Sequence, residues 1–331
     1  MNETLIRVDH LVKEFPVRRG LFEKGPKDGK KAVVHAVDDV SFEIKKGEVL
    51  GLAGESGSGK STTGRLLLRL LDPTGGQIDF GGTDLATIDE ESMRKLRPRM
   101  QVVFQDPNGS LSPRMTVGQA IGHPLEIHGI LEPAERKDFV LGLMEKVGLS
   151  PAEFLYRKYP HQISGGQAQR VVIARALATN PEFLVADEPI AMADVSVRAL
   201  VMELLKKLKD EMKMTYLFIT HDLATAKYLC DRVAIMYLGR IVEIGGKDEL
   251  FSKPHHPYTR ALLQAVPVPD PDKRRTEEVV RGEIPSAINP PPGCHFHPRC
   301  PHAKSECAER RPPLRDVGDG HLSACLFDIE R

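Results

Sequence analysis

The segment from Gly54 to Ser61 reads GESGSGKS, which fits the G-x-x-x-x-G-K-[ST] spacing of a phosphate-binding loop. Glycines let the backbone wrap closely around phosphate groups, so that successive N–H groups point at one anion. Lys60 offers positive charge to the β- and γ-phosphates, and the Ser61 hydroxyl is a hard oxygen ligand of the kind that Mg²⁺ prefers. The pattern predicts binding of a nucleoside triphosphate. The alternative is a flexible Gly/Ser linker.

The residues on either side of the loop favour the first interpretation. Residues 48–53 read as a short buried strand, and residues 62–71 read as a helix. Strand, glycine loop and helix is the setting in which this motif binds phosphate, because the positive end of the helix dipole then faces the anion.

Composition gives no sign of a direct membrane or nucleic-acid role. The chain has 331 residues with 46 basic and 46 acidic side chains, so no bulk charge draws it to nucleic acid or anionic lipid. We find no apolar run long enough for a membrane span and no signal-peptide core near the N-terminus. The sequence therefore predicts a soluble, cytoplasmic protein that reaches a membrane only through partners.

The pattern along the chain is that of an α/β protein. Residues 6–9 and 40–44 alternate apolar and polar side chains, as half-buried antiparallel strands do. Periodic apolar positions mark a helical insert over 107–163. Strand-like runs then recur between helices, which implies a sheet covered by helices. The Pro-rich run 267–271 is typical of a linker, and 18–31 of a solvated basic loop.

An apolar strand, residues 183–186, ends in the carboxylates Asp187 and Glu188. Such a strand carries its last residues to the carboxyl edge of the sheet, where phosphate loops lie. There Asp187 can hold Mg²⁺ through water, and Glu188 can orient or deprotonate an attacking water. An acidic pair on its own more often caps a helix, but the phosphate loop upstream favours the catalytic interpretation.

The run Ser164-Gly165-Gly166-Gln167 precedes a helix predicted over 168–179. Two glycines at a helix start leave N–H groups bare at the positive end of the dipole, which makes a second anion site. One nucleotide rarely needs two such sites in one chain. If the second site faces a partner subunit, each ATP is enclosed between two subunits. A simple turn with a helix cap is the alternative.

These motifs together resemble the ATP-binding subunit of an ABC transporter. GESGSGKST, Gln105 in VFQDP, SGGQ, VADEP and His221 in FITHDL occur in the expected order over residues 54–222. By resemblance, Gln105 contacts Mg²⁺ and water, His221 contacts the γ-phosphate, and SGGQ reaches the ATP of the opposing subunit. An aromatic residue stacks on adenine, and Phe15 is the candidate. The nucleotide contacts that the resemblance implies are Phe15, Gly54, Glu55, Ser56, Gly57, Ser58, Gly59, Lys60, Ser61, Thr62, Gln105, Ser164, Gly165, Gly166, Gln167 and Asp187, with Ser61, Gln105 and Asp187 at Mg²⁺ and Gln105, Glu188 and His221 in catalysis.

Three further segments resemble the oligopeptide/dipeptide importers, namely FQDPNGSLSPRMTV at 104–117, HHPYTRALLQAVP at 255–267 and the cysteine-containing tail. The resemblance implies a P-loop NTPase core with an N-terminal antiparallel β subdomain. The ABC ATP-binding domain then spans 1–253, with a helical subdomain at about 107–165, and a small C-terminal extension spans 254–331. It also implies ATP-driven peptide import at the cytoplasmic face of the membrane, beside a homologous second ATPase subunit, two membrane permease subunits and an extracytoplasmic binding protein.

Two alternatives stay open. The same machine could carry oligosaccharides or nickel, because nothing in this chain is expected to touch the cargo. A soluble ABC ATPase acting on ribosomes or DNA is the alternative of another class, but such proteins usually carry two nucleotide units or a long coiled-coil insert.

One segment departs from the family pattern. The family usually has Ser-Ala-Leu-Asp shortly after the DEP run, whereas this chain has Ala191-Met192-Ala193-Asp194. The hydroxyl and the leucine are missing while the aspartate is retained. By resemblance this loop lies along the interface between ATPase subunits.

Four of the five cysteines crowd the C-terminal region, with the spacing Cys294-x₅-Cys300-x₆-Cys307-x₁₇-Cys325. This differs from the paired C-x₂-C of common zinc ribbons. Four thiolates suit tetrahedral zinc or an iron–sulfur cluster, and the resemblance favours [4Fe-4S]. Nearby histidines leave a mixed zinc site open, and unbound thiols are the third possibility. The histidines are His295, His297, His302 and His321. Cys230 is expected to be a buried core residue.

Overall fold

A computed structural model describes residues 3–17, 32–191, 195–265 and 282–328. The predictions for the loop 18–31, the linker 267–271 and residues 192–194 lie outside the described residues. The strands are β1 Thr4–Pro16, β2 Val33–Lys45, β3 Val49–Ala53, β4 Gly75–Phe80, β5 Thr83–Asp84, β6 Met100–Val103, β7 Phe183–Asp187, β8 Thr215–Thr220, β9 Arg232–Tyr237, β10 Arg240–Gly246, β11 Arg315–Asp316 and β12 Leu322–Ser323. The helices are α1 Lys60–Leu67, α2 Glu90–Leu96, α3 Pro107–Ser110, α4 Val117–His128, α5 Pro133–Lys146, α6 Ala152–Tyr156, α7 Gly165–Leu177, α8 Val195–Met212, α9 Leu223–Leu229, α10 Lys247–Ser252, α11 Pro257–Gln264 and α12 Ser305–Glu309.

The chain forms two compact units, each assembled from separate stretches of sequence. The helical unit consists of Met1–Glu3, Lys45–Val49 and Thr87–Ile219. The β-rich unit consists of Thr4–Ile44, Leu50–Ala86 and Thr220–Arg331.

The β-rich unit contains the predicted antiparallel strands. Its first sheet has the order β2-β1-β4-β5, and Ile6 lies opposite Phe80 across the β1–β4 pair. Buried and exposed side chains alternate along β1 and β2, with Ile6, Val8, Val40 and Phe42 in the core. The period-2 pattern in the sequence therefore predicted both strands correctly.

A mixed sheet completes the β-rich unit, in the order β11-β12-β10-β9-β3. Strand β3 pairs in parallel with β9, and β9 pairs antiparallel with β10. The C-terminal region adds two strands to this sheet, because β12 pairs antiparallel with β10 through Glu243↔Ser323 and Ile244↔Leu322. The tail is thus joined to the sheet by backbone pairing.

The helical unit contains three parallel strands in the order β8-β7-β6. Strand β7 is buried along its whole length, as an apolar strand in a covered parallel sheet should be. The insert predicted over 107–163 forms α3 to α6, and α4 packs against α5 and α7. Ile121, Leu125, Val140 and Val147 are buried, as their periodicity predicted.

The helix after the phosphate loop starts earlier and ends sooner than its sequence suggested. Helix α1 begins at Lys60 and ends at Leu67, whereas the apolar run predicted an end at residue 71. Arg69 has a left-handed backbone, with φ of 46°, and its N–H donates to the carbonyl of Leu66 at 2.8 Å. This closing turn ends the helix although leucines continue beyond it.

In the described part of the chain, no helix is both long and apolar enough to cross a membrane.

Glu243 on β10 has no exposed surface and connects three segments of the β-rich unit. Its Oε1 accepts the N–H of His255 at 2.7 Å, its Oε2 accepts that of His256 at 3.0 Å, and the ring Nε2 of His321 lies 2.7 Å from Oε1. Burial alone would raise the pKa of Glu243, but the bonds from His321 and His255 hold it below its ordinary value. One carboxylate therefore joins β10, the start of α11 and the turn before β12.

We expect Glu243→Gln to lower the free energy of unfolding by about 2–4 kcal/mol, because an amide cannot accept from every donor around this buried site. Urea unfolding at neutral pH measures it. The matched control is Glu182→Gln at the exposed pair with Arg99, whose cost should be about 0–1 kcal/mol.

The dependence on pH supplies a second check on Glu243. Its pKa is lower in the folded protein than in the unfolded chain. Glu243 therefore contributes fully to the free energy of unfolding above its pKa in the unfolded chain, about 4.3. This contribution is lost as the pH falls through its pKa in the folded protein. The difference in free energy of unfolding between wild type and Glu243→Gln should decrease only at acidic pH. Equal stabilities at neutral pH would contradict the connecting role.

Candidate functional site

The phosphate loop follows β3 in the β-rich unit, and its backbone has room for glycine alone at two positions. Gly54 has φ of 152° and Gly59 has φ of 106°, both in the region that disfavours other residues. A Cβ on Gly54 would lie 2.1 Å from the carbonyl oxygen of Met236, and one on Gly59 would lie 2.2 Å from that of Ala36. The predicted motif therefore folds as a tight turn and not as a flexible linker.

Lys60 lies across the inside of this turn. Its Nζ donates to the carbonyl oxygens of Gly54 at 2.8 Å and Glu55 at 2.9 Å. The side chain is buried and stands at the first position of α1. A lysine held in this way places one positive charge inside the loop, which suits a phosphate.

Glu55, the second residue of the loop, is bound by two residues from the C-terminal region. Its N–H donates to the hydroxyl of Tyr258 at 3.0 Å. Its carboxylate accepts from both terminal nitrogens of Arg299, at 2.8 and 3.2 Å. Burial alone would lower the pKa of Arg299, but the hydrogen bonds to Glu55 and Tyr237 raise it above its ordinary value.

Two other predicted nucleotide contacts lie in the same unit. His221 is exposed in the turn between β8 and α9, where Asp222 caps α9 by accepting the N–H of Ala224 at 2.9 Å. Phe15 is half-buried on β1, and the Nζ of Lys13 lies 5.1 Å from its ring centroid. The γ-phosphate contact of His221 and the adenine contact of Phe15 therefore stay predictions.

The helical unit brings Gln105 and Glu188 together. The Nε2 of Gln105 donates to the Oε2 of Glu188 at 3.0 Å. The register explains this contact, because Val103 on β6 lies beside Ala186 on β7 and each functional residue follows two positions later. Parallel strands thus deliver an amide and a carboxylate to one edge of the sheet.

The backbone at Glu188 is strained. Its φ is 48°, which is uncommon for a residue other than glycine, and its N–H donates to the carbonyl of Ile219 at 3.0 Å. Asp187, one residue before, is buried at the end of β7. Strain of this kind persists where the surroundings fix a functional side chain, so the geometry supports the assignment of Glu188 as a candidate catalytic residue.

The run Ser164–Gln167 forms the start of α7, which spans Gly165–Leu177, whereas the sequence predicted a helix over 168–179 that begins after the run. The Ser164 hydroxyl accepts the N–H of Gln167 at 3.2 Å, and the Gln167 side chain accepts the N–H of Ser164 at 2.9 Å. Ser164 and Gly165 are exposed. This capping box fixes the helix end and leaves its surface open to a ligand or a partner.

The four C-terminal cysteines are half-buried neighbours. Burial raises the pKa of Cys294 to about 11 and that of Cys300 to about 12, and the nearby cysteines add to both effects. The N–H of Cys294 donates to the carbonyl of Cys307 at 2.8 Å. Among the described residues, no group of three or more His, Cys, Asp or Glu side chains is arranged to hold a metal ion. Cys230, by contrast, is fully buried in the core, as predicted.

Three of the neighbouring histidines have a hydrogen-bond partner through one ring nitrogen. The Nδ1 of His295 lies 3.1 Å from the carbonyl of Leu238, and that of His297 lies 2.8 Å from the carbonyl of Cys294. His321 is bound to Glu243 through Nε2. Each contact uses one nitrogen of its ring, an arrangement that is also found in histidines that bind a metal through the other nitrogen.

Sequence reasoning missed Tyr258 and Arg299. Tyr258 belongs to the HHPYT run and Arg299 stands next to a cysteine, so both were assigned to the C-terminal region. Nothing in the local pattern of either residue points to a phosphate loop some 200 residues away.

The chain is similar to known proteins over most of its length. Residues 37–191 match the family model described as ABC transporter, and residues 242–307 match that described as oligopeptide/dipeptide transporter, C-terminal region. A protein of Brucella ovis, described as a peptide import ATP-binding protein, is 52% identical over 297 residues, which cover 90% of this chain and 93% of that protein. The oligopeptide transport ATP-binding protein AppF of Bacillus subtilis is 47% identical over 326 residues, which cover 98% and 97%.

A solved structure shares the fold as well. The dimeric post-hydrolysis state of the ATP-binding cassette MJ0796, bound to ADP and Pi, matches with a TM-score of 0.64 at 30% identity. The match covers 73% of this chain and 98% of that one. The α/β cassette architecture that the sequence predicted is therefore confirmed.

Proposed function

This chain belongs to the ATP-binding proteins of ABC transporters, in the oligopeptide/dipeptide group, and we propose that it hydrolyses ATP to power peptide import. The observation that carries the proposal is the pair of family matches, a cassette followed by the C-terminal region of oligopeptide/dipeptide transporters. Relatives named for peptide import and oligopeptide transport that match over nine-tenths of the chain support the same cargo.

In this proposal the phosphate loop holds the triphosphate of ATP. Residues 54–62 are proposed to enclose the triphosphate, and Lys60 supplies the charge for the β- and γ-phosphates. The N–H of Glu55 is not among the phosphate donors, because it donates to the Tyr258 hydroxyl. Ser61, Gln105 and Asp187 would hold Mg²⁺, which neutralises phosphate charge when bound. Phe15 is proposed to stack on the adenine. The tight glycine turn and the buried Lys60 support these assignments.

Glu188 is proposed to orient and deprotonate the attacking water. Gln105 fixes that carboxylate through the 3.0 Å hydrogen bond, and His221 is assigned to the γ-phosphate. Residues 164–167 are assigned to the ATP of the opposing subunit. The exposed, capped start of α7 supports this assignment, since a Cβ on Gly165 would meet no other atom within 4 Å.

We expect Glu188→Gln to lower the ATPase rate by about 10²–10³-fold while nucleotide affinity stays within about threefold, because the amide keeps its size but cannot take a proton. Phosphate release and binding of a fluorescent ATP analogue measure the two quantities. The control is Glu182→Gln, at a pair with Arg99, which should change neither. Full hydrolysis by the Glu188 variant would contradict the assignment.

The proposed partners are two membrane permease subunits, a homologous second ATPase subunit and, indirectly, an extracytoplasmic substrate-binding protein. The chain would then work as a peripheral subunit at the cytoplasmic face of the membrane. A groove on the helical unit supports the permease contact. It has a volume of about 460 Å³ and is lined by residues of α4, α5 and α6, including Gln119, His123, Arg136 and Tyr156. Its mixture of polar and aromatic side chains suits a short helix from a membrane subunit.

We propose the domain boundary at residue 254, with the ABC ATP-binding domain at 1–253, a helical subdomain at about 107–165 and the C-terminal region at 254–331. The match to the oligopeptide/dipeptide C-terminal model, which starts at residue 242, supports a boundary in this part of the chain.

The cargo is tested with the reconstituted importer. We expect its ATPase rate to rise severalfold when peptide-loaded binding protein is added, because closure of the cassette is coupled to docking of loaded binding protein. Sugar-loaded protein is the matched control and should have no effect. Stimulation by the sugar-loaded protein alone would overturn the peptide assignment, while the assignment as the ATPase of an importer would stand.

We further propose that Cys294, Cys300, Cys307 and Cys325 hold a [4Fe-4S] cluster, with Zn²⁺ as the alternative. The donor set suits either group, and the N–H of Cys294 donates to the carbonyl of Cys307 at 2.8 Å, which brings these two cysteine segments together. The cysteine side chains would have to move together to bind the metal, because the described residues contain no group of three or more ligands arranged to hold a metal ion. Such a group would stabilise a region with few core residues.

Anaerobic purification tests this assignment. We expect about four iron atoms and four sulfide ions per chain, together with the visible absorption that is typical of iron–sulfur proteins. This absorption should be lost in Cys300→Ser. One zinc and no iron would favour the alternative, and neither metal would contradict the proposal. The control is Cys230→Ala, which removes the cysteine in the core of the β-rich unit and should keep the metal content.

A further inference from the structure

Glu55 is held more firmly than its place in the loop requires. Its N–H bonds to the Tyr258 hydroxyl, its carbonyl accepts from Lys60, and its carboxylate accepts from Arg299. The motif fixes the residue type at Gly54, Gly59, Lys60 and Ser61, whereas the residue type at the second position is open. The contacts from the C-terminal region therefore call for an explanation beyond the motif.

The ion pair between Arg299 and Glu55 is of the strong kind. Both terminal nitrogens of the guanidinium reach the carboxylate, at 2.8 and 3.2 Å, and the arginine side chain is 10% exposed. The guanidinium carbon also lies 5.7 Å from the ring centroid of Tyr237. A two-pronged pair whose arginine is mostly buried fixes geometry better than an exposed lysine–carboxylate contact.

Tyr258 gives the loop a second fixed point. Its ring is buried, 4.7 Å from that of Tyr237 and 5.3 Å from that of Phe296. Its own N–H donates to the ring of His256 at 3.1 Å. The hydroxyl that accepts the Glu55 N–H therefore cannot follow the loop if the loop moves.

The charge of Glu55 matters for an anion site. A carboxylate within the loop repels a triphosphate bound by the same loop, unless a cation neutralises it. Arg299 supplies that cation from outside the motif.

We propose that Arg299 and Tyr258 are positioning residues for ATP binding: they fix Glu55 and neutralise its charge, and so set the nucleotide affinity of the phosphate loop. The inference rests on the proposed function, because it assumes that this loop binds ATP. It assigns to the C-terminal region a direct part in nucleotide binding.

Arg299 also links the cysteine segment to the phosphate loop. Arg299 lies in the turn between Cys294 and Cys300. The N–H of Cys294 donates to the carbonyl of Cys307, and the N–H of Cys300 donates to the carbonyl of His297 within the turn. Arg299 therefore belongs to the same short turn as two of the cysteines.

Equilibrium binding of a fluorescent N-methylanthraniloyl ATP, with Mg²⁺ and the full chain, tests the proposal. We expect Arg299→Gln to raise the dissociation constant about tenfold, since it leaves a bare carboxylate in the loop. Tyr258→Phe removes one hydroxyl from an intact ring and should raise it about fivefold. The double variant Glu55→Gln with Arg299→Gln should return to within about threefold of wild type, because no unpaired charge then remains.

The chain offers matched controls for both changes. Arg99→Gln breaks another two-pronged arginine–glutamate pair, with Glu182, outside the phosphate loop. Tyr216→Phe removes a buried hydroxyl that has no hydrogen-bond partner among the described residues. Both should bind the analogue as wild type does. Thermal unfolding of each variant shows whether it is folded.

The inference is overturned if folded Arg299→Gln and Tyr258→Phe keep wild-type affinity, or if the double variant binds as weakly as Arg299→Gln. A purely structural role for the tail would lower stability in these variants and leave affinity unchanged, so it would be recognised. Absence of binding by the wild-type chain would instead overturn the proposed function.

Discussion

The phosphate-binding loop closes on its neighbours at distances that exclude a side chain at Gly54 and at Gly59. The carbonyl oxygens of Met236 and Ala36 occupy the space where a Cβ would stand. Because the backbone is confined in this way, Lys60 can reach back to two loop carbonyls and stand at the first position of α1. The remaining polar contacts of the loop are built on this confined turn.

The catalytic assignments depend on a different constraint, the register of parallel strands. Residues at the ends of neighbouring parallel strands meet at one edge whatever lies between them in the chain. Gln105 and Glu188 are 83 positions apart and are nevertheless joined by a hydrogen bond. The left-handed backbone at Glu188 adds strain that the pairing of its N–H with Ile219 must overcome.

Local patterns predicted the elements well and their long-range contacts poorly. Alternation identified β1 and β2, and periodic apolar residues identified α4 and α5, because burial repeats with the period of the element. The end of α1 was wrong, since leucines continue past the residue where the backbone turns left-handed. The partners of Glu243 and Glu55 could not be predicted, because each pairing depends on segments brought together only by the fold. The roles assigned by the motifs to Phe15, His221 and Ser164 stay predictions.

The pairing of β12 with β10 has a consequence for shortened forms of this protein. Strand β10 is apolar and buried over most of its length, and its outer edge is bonded to residues 322–324. A chain that stopped before residue 315 would present that edge with free N–H and C=O groups, which is a template for pairing with another chain. The C-terminal region therefore also covers an edge that could otherwise pair with a further strand, and a minimal cassette cut from this sequence would need a new cover for β10 or a charged residue on that edge.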